Sequence, residues 1–417
     1  MQMKKLKLAS LFSGCGGMDI GFEGGFPAHK SWLNHEEVKN YKKFNKNNFT
    51  TLTELQIETI FACDVNAKAK VAWDYHFSKK RDIDNVFELR SIVDIVKEIK
   101  SGTKAINHKI DIVTGGFPCN DFSVAGKRKG FNSDKSHQGN KKLIQGDDDA
   151  TVENRGMLYF WMREFISLVK PKIFYAENVK GLVSLGDAKE IIAKDFASIN
   201  GSSYFVVPVK VLRAIDYGIP QTRERVIFIG LNRDFLRASV NNHIDKTGEL
   251  PANLNPYPAI SHGLSDLINE NYFPFATCKD AFAGLVEPEL SKDLAQQAYS
   301  KAKHFTKKMQ GGAEINLNKP GPTIRAEHHG NIEFRRLSEV NGGKNSTELV
   351  INMPQRRLTV RECARLQTFP DDYEFVVPEK ISASDGYRLI GNAVPPLLAY
   401  RLGQRLEEIW DELFKSR

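Results

Sequence analysis

Between Lys7 and Leu231, short runs rich in Val, Ile and Phe alternate with longer segments of helical character, and this alternation constrains the fold most. The apolar runs are Lys7–Phe12, Ile57–Cys63, Ile110–Val113, Lys172–Tyr175, Phe205–Val211 and Val226–Leu231. Their length and β-branched content predict buried strands rather than helices. Helix-like segments lie at Asn66–His76, Leu89–Ile99, Met157–Val169 and Lys189–Ile199, with a short helix expected from Met18. Strands alternating with helices predict an α/β fold with a largely parallel sheet, whose ligands bind beyond the carboxyl ends of the strands. The turn at Ser13, Asp64, Cys119 and Glu177 each follow a predicted strand, so this topology gathers them at one sheet edge.

After Leu231 the pattern is lost. Residues 232–355 are richer in Asn, Pro, Gly and isolated charges, and are expected to form a smaller, irregular domain. From Arg356 helical character returns, and residues 356–417, ending in an amphipathic helix, are expected to pack back on the domain formed by 1–231. Two stretches have the character of insertions. Phe26–Glu54 is rich in Lys, Asn and His; Lys127–Glu153 is basic and then acidic, a solvated loop or a lid over the site.

The chain has 417 residues, 41% hydrophobic and 26% charged, ordinary for a globular enzyme. No apolar run approaches the roughly 18–20 residues that span a bilayer, so no membrane association is expected. In MQMKKLKLASLF, Lys7 interrupts the apolar part, which favours a first strand over a signal peptide. The five cysteines are scattered, with no Cys-x-x-Cys pair. That argues against disulfides and zinc, and for a cytoplasmic protein. A net charge of +8 is compatible with a nucleic-acid partner.

Several motifs carry chemistry. The turn Phe12-Ser-Gly-Cys-Gly-Gly17 lets backbone approach a nucleotide-like ligand, or is purely structural. It departs from Gly-x-Gly-x-x-Gly, since Asp19 occupies the last glycine's place. Asp64 is placed either to hold a ribose or to cap the next helix. Cys119, in GGFPCNDFSVAG, is either a buried small hydrophobe or a nucleophile. Glu177 is either a surface acid or a cleft acid whose carboxyl burial would raise. Arg223 and Arg225, two apart before a strand, share one face of an extended segment. They would grip phosphate, carboxylate or carbonyl oxygens, or form surface ion pairs. His328 and His329 have no metal-binding pattern around them, and no metal is expected.

Taken in order, LFSGCGG, GGFPCNDFS, AENVKG, DYGIPQTRERV, RRLTVRECARLQTFPD and GNAVP resemble the DNA (cytosine-5-)-methyltransferases of bacterial restriction–modification systems. The resemblance covers Leu8–Leu231 and Arg356–Leu406, with the family's variable region between. It implies a Rossmann-like S-adenosylmethionine-dependent methyltransferase sheet with a smaller, irregular target-recognition domain. Residues 1–231 become the catalytic and cofactor-binding domain, 232–355 the target-recognition domain, and 356–417 the segment returning to the first. The activity implied is methyl transfer to C5 of cytosine in a specific double-stranded DNA sequence, by base flipping and a covalent Cys119–C6 adduct.

In the roles the family implies, Cys119 is the nucleophile and Glu177 contacts N3 and the exocyclic amine. Arg225 binds O2, and Arg223 supports the site. The cofactor set by motif match is Phe12, Gly14, Cys15, Gly16, Gly17, Asp64, Val65, Asp82, Pro118, Leu158, Asn392 and Val394. Asp64 would hold the ribose, Val65 lie against the adenine, and Asp82 read its amine. Thr323, Ile324 and Arg325 resemble part of the target-recognition domain. Asn120 stands where the family commonly has glutamine, Val65 stacks less than the aromatic some members carry, and the Lys127–Glu153 loop is longer than in compact members. A monomer is expected, paired functionally with a restriction endonuclease without a stable complex. Two rivals are a tRNA cytosine-5 methyltransferase and a non-catalytic DNA-binding relative. The first should carry a Cys-Phe-Thr block after Glu-Asn-Val, and GLVSLGDAKE stands there instead. The second should have lost the cysteine, the glutamate or the cofactor turn, and all three are present.

Overall fold

Strand β1 (Leu6–Leu11) lies inside the main sheet because both its faces are apolar: Leu6 and Leu8 point into one core, Ala9 and Leu11 into the other. The computed structural model describes residues 5–106, 108–118, 157–199, 201, 203–263, 272–301, 315–326, 334–335 and 356–415. Cys119, Asn120, the Lys127–Glu153 stretch, His328 and His329 lie outside the described residues.

Helix α1 (Gly17–Glu23) follows β1 after a glycine turn. The Phe26–Glu54 insertion forms a small antiparallel pair, β2 (Pro27–His29) with β3 (Phe49–Thr51), and helix α2 (His35–Asn40). Asn34 and Glu37 close a capping box at the start of α2. The sheet continues with β4 (Ile57–Asp64), α3 (Ala67–Phe77), β5 (Phe87–Leu89), α4 (Ile92–Ser101), β6 (Ile112–Gly116), α5 (Leu158–Val169), β7 (Ile173–Val179) and α6 (Ala188–Ala197). It ends with β8 (Tyr204–Val206), β9 (Lys210–Arg213) and β10 (Glu224–Asn232).

The strand order is β5-β4-β1-β6-β7-β10-β8, with β9 also on β10. From β5 to β7 every pairing is parallel, and β10 then runs antiparallel to β7, β8 and β9. The sheet is therefore parallel in its larger part, as the alternation predicts, with an antiparallel margin that the alternation does not specify. Two details differ from the sequence expectation. Leu89, expected to open a helix, instead ends the strand Phe87–Leu89, because Ser91 caps α4 through the N–H of Val93 and so starts it at Ile92. The run Phe205–Val211 is two strands, divided at Pro208, which has no N–H to give to a ladder.

Beyond β10 come α7 (Ala238–Thr247), α8 (Cys278–Ala281), α9 (Leu294–Gln297), α10 (Val360–Leu366), α11 (Ala383–Asn392) and α12 (Pro396–Leu413). Thr359 and Glu362 form a capping box on α10, and Arg356 joins Glu362 to Glu287 at 2.9 and 2.8 Å. Helix α12 lies against α1, where a Cβ on Gly21 would fall 2.3 Å from the Pro396 carbonyl oxygen and 2.4 Å from Ala399 Cβ. Arg401 of α12 also donates to the Trp32 carbonyl at 2.9 Å and pairs with Glu37, fastening the insertion.

Because Gly21 allows this close approach, Gly21→Ala overpacks the α1–α12 contact. It should cost roughly 1–3 kcal/mol in denaturant unfolding without altering the fold.

Candidate active site

The turn after β1 is built from backbone conformations that most residues avoid. Gly14, Gly16 and the non-glycine Phe12 all have positive φ, at 52°, 76° and 52°. The Ser13 N–H bonds the Cys63 carbonyl at 3.0 Å, which ties the turn to the end of β4. Gly14 N–H donates to Asp64 Oδ2 at 2.9 Å and Asn66 N–H to Oδ1 at 2.8 Å. Burial raises the Asp64 carboxyl above its usual range, and these backbone donors act against the rise. Asn66, not Asp64, is the side chain that caps α3. A Cβ on Gly14 would meet no atom within 4 Å, so the space over the turn is open there.

Cys15 points inward, its thiol donating to the Leu389 carbonyl at 3.6 Å while its own carbonyl accepts from Tyr373. Burial pushes the Cys15 and Cys63 thiols up, away from thiolate chemistry. Asn392 at the end of α11 is exposed and Val394 buried. Val394 comes close to the turn, since a Cβ on Gly17 would fall 2.3 Å from its carbonyl oxygen. Pro118 is half-buried, and Leu158, opening α5, packs with Leu11 and Phe117 in one core.

Val65 follows β4 and is 45% exposed; Leu89 ends the neighbouring strand at the register partner of Asp64 and is 44% exposed. These two apolar side chains stand at the carboxyl edge beside the turn. Asp82 does not join them. It is exposed in the segment that enters β5, next to Arg81, whose guanidinium bonds the Thr59 carbonyl in the amino half of β4. The helix expected from Leu89 overlaps the end of β5, whose three residues carry no alternation to mark them as a strand. Leu89 ends that strand beside Asp64, next to Glu88, which Lys104 holds at 2.5 Å.

On the other side of β6, Glu177 and Arg225 form a buried pair across the β7–β10 junction, Nε to Oε1 2.6 Å. Asn178 donates to the Phe117 carbonyl at 3.0 Å, and a Cβ on Gly116 would sit 3.0 Å from Glu177 Oε2. Glu177 therefore flanks the Gly116–Pro118 segment that leads into Cys119. Burial raises the Glu177 carboxyl, with the charges of Arg225 and Arg223 opposing.

Arg223 takes the carbonyl option among those open for it. Its guanidinium donates to Ile324 at 3.0 Å, Gly391 at 2.9 Å and Ala393 at 2.7 Å. Gln221 accepts from Ile324 N–H at 3.0 Å and donates to Gln367 at 2.9 Å. Gln367 in turn donates to the Ile390 and Ala393 carbonyls. These two buried glutamines lie outside the candidate set from sequence; their place within the QTRER and RLQ blocks was the available signal. Ile324 is 2% exposed, so it faces inward rather than toward DNA. Thr323 and Arg325 are half-buried, with Thr323 Oγ1 donating to the Thr222 carbonyl at 3.1 Å.

A model of the C-5 cytosine-specific DNA methylase family matches residues 6–138 and 144–408. The chain belongs to this family. It is a DNA (cytosine-5-)-methyltransferase, with the Rossmann-like sheet of that class. It is 30% identical to the type II methyltransferase M.BsuRI of Bacillus subtilis, over 95% of this chain and 78% of that one. It is 29% identical to the type II methyltransferase M.BspRI of Lysinibacillus sphaericus, over 99% and 84%. Among solved structures, the Entamoeba histolytica methyltransferase EhMeth superposes with TM-score 0.59 at 14% identity, covering 98% of this chain and 99% of that one. Among the described residues no helix is long and apolar enough to cross a membrane, and no group of side chains is arranged to hold a metal ion.

Arg225→Ala leaves the Glu177 carboxylate buried without its partner, which should cost roughly 3–5 kcal/mol at about pH 8. The sign follows from the raised carboxyl. Its protonated form is favoured by the fold, so stability is lost as pH rises through that raised value, and further in the variant. Unfolding at about pH 5 and about pH 8 should show the variant's deficit larger at the higher pH.

Proposed function

We propose that this DNA cytosine-5 methyltransferase uses S-adenosylmethionine and acts on a cytosine flipped from a specific double-stranded sequence, through a covalent Cys119–C6 adduct. The observation that carries the reading is the buried Glu177–Arg225 pair beside the segment that leads into Cys119.

The turn fits the cofactor. It offers open space over Gly14, the Asp64 carboxylate for ribose hydroxyls, and Val65 and Leu89 as apolar surfaces for adenine. Phe12, Cys15, Gly16, Gly17, Pro118, Leu158, Asn392 and Val394 complete the cradle. Bound there, S-adenosylmethionine would supply an electrophilic methyl group. Cytosine C5 is too weak a nucleophile to take it unaided. The Cys119 thiolate adds at C6 while Glu177, whose carboxyl burial makes a readier proton donor, gives a proton to N3, and C5 becomes the nucleophilic carbon of an enamine. Arg225 holds the base oxygen O2, and Arg223 fixes the backbone around it. After methylation, a base removes the C5 proton and the thiolate is expelled. Glu177 recovers its proton from N3.

A base inside a duplex cannot reach such a pocket, so flipping is required. Residues 1–231 form the catalytic domain in this reading, 232–355 recognise the target with Thr323 and Arg325 at its margin, and 356–417 return to the first domain. The relatives' type II names support a role in protecting host DNA from a restriction enzyme, in the cytoplasm.

Labelled S-adenosylmethionine and mixed-sequence DNA, followed by bisulfite mapping, test the reading. Methyl transfer should converge on one cytosine in one sequence. Cys119→Ala should lower it by roughly three orders of magnitude or more, and Glu177→Gln by about 10²–10⁴-fold. Full-rate transfer by Cys119→Ala, or label appearing in tRNA and not DNA, would contradict it.

A further inference from the structure

The cofactor turn carries an acid where a dinucleotide-type turn has its third glycine, and that acid has a defined job in the fold. Asp19 is fully buried on α1. Its Oδ2 accepts the indole N–H of Trp73 at 2.8 Å, while its equally buried Oδ1 has no hydrogen-bond partner. Asp19 follows the turn on α1, and Trp73 packs against the turn from α3. Asp19 therefore ties the helix that follows the turn to the helix packed beside it.

Trp73 is the part of this brace that touches the turn. Its ring lies so near Gly16 that a Cβ there would fall 2.7 Å from Cδ1 and 3.1 Å from Nε1. Phe77 stacks on the indole at 4.3 Å between centroids and Phe87 meets it edge-on at 5.5 Å, while Asp19 holds its polar edge. Gly16 itself holds a φ of 76°.

We infer that Asp19 is a positioning residue for the cofactor turn: by fixing Trp73 against Gly16 it holds the backbone that receives S-adenosylmethionine. The inference rests on the cofactor reading proposed above.

The choice of a carboxylate has a stability cost that marks it as more than packing. Burial raises the Asp19 carboxyl to about 6, against the hydrogen bond from Trp73. Glu23 on α1 raises it further and Arg81, beyond α3, lowers it. Cys15, Cys63 and Tyr373 also feel its charge. His76 of α3, packed on Tyr373, is held down to about 3 by burial and stays neutral over the relevant range. With its folded value above its unfolded one, Asp19 costs stability as pH rises from about 4 through about 6. In return, the carboxylate accepts from Trp73 and brings no donor of its own to satisfy.

The test uses the full-length protein, S-adenosylmethionine binding at equilibrium, and steady-state methylation. Asp19→Leu and Trp73→Phe should each weaken cofactor binding about tenfold. The double variant should lose no more than either single one, because both remove the same bond. KM for the cofactor should rise with kcat little changed. Asp19→Asn keeps an acceptor for Trp73, so its affinity should stay within about threefold of the parent's. It should also flatten the dependence of Tm on pH between about 5 and 7. Should Asp19→Leu fail to fold, Trp73→Phe and Asp19→Asn still decide the matter. Parental affinity in folded Trp73→Phe, or a kcat loss without a KM change, overturns the inference. No binding by the parent protein overturns the cofactor reading itself, and the inference with it.

Discussion

Glu177 and Arg225 meet at 2.6 Å where the parallel part of the sheet gives way to its antiparallel margin. Two charges buried at such a junction are tolerable only if each neutralises the other, because desolvating either alone costs several kcal/mol. The pairing thus fixes the register of β7 against β10, and with it the place of the Gly116–Pro118 segment on the far side of β7. The same pair leaves a carboxyl that burial makes harder to ionise beside a guanidinium that cannot lose its charge. A donor to a ring nitrogen and a cation for a carbonyl oxygen are the two groups that addition to cytosine demands.

Around that pair the chain closes on itself. Arg223, two residues from Arg225, clamps the carbonyls of Ile324, Gly391 and Ala393, while Gln221 and Gln367 bridge the same segments. Val394 then reaches Gly17 in the cofactor turn. Backbone from residues far apart in sequence is thus held in one buried polar cluster, in which Arg223 donates to three carbonyls and Gln221 accepts from the Ile324 N–H. Losing one such donor would strand a buried carbonyl and shift the wall that two binding surfaces share. The turn has its own brace at Asp19 and Trp73, so it is held from both sides.

Much of this was legible in the sequence because strand–helix alternation is a strong signal. The β1, β4, β7 and β10 runs match the observed strands within a few residues of their ends, and the turn at Phe12–Gly17 does follow a strand; Asp64 instead closes β4, and Glu177 lies inside β7, which runs on to Val179. What escaped had physical causes. β5 is three residues long and lacks alternation, so sequence runs Leu89 into the following helix, and the segment entering the strand, with Asp82, lies away from the turn. Pro208 divided a run that composition alone could not divide. Arg223 and Arg225 share a spacing and a chemistry, yet one grips carbonyls and the other a carboxylate. That difference depends on residues more than 40 positions away, as does the inward turn of Ile324 toward Gln221. The glutamine bridges likewise arise from pairing between distant segments, which local propensity does not encode.

The central claim is that a cysteine thiolate and the Glu177–Arg225 pair act together on one flipped cytosine. Duplex DNA in which the target cytosine carries fluorine at C5 tests this directly. Methyl transfer can proceed to the adduct, but no proton remains at C5 for elimination to remove. The account predicts a protein–DNA complex that survives denaturation, requires S-adenosylmethionine, and is lost with Cys119→Ala. Turnover of the fluorinated DNA without a trapped complex, or trapping that persists in Cys119→Ala, would contradict it.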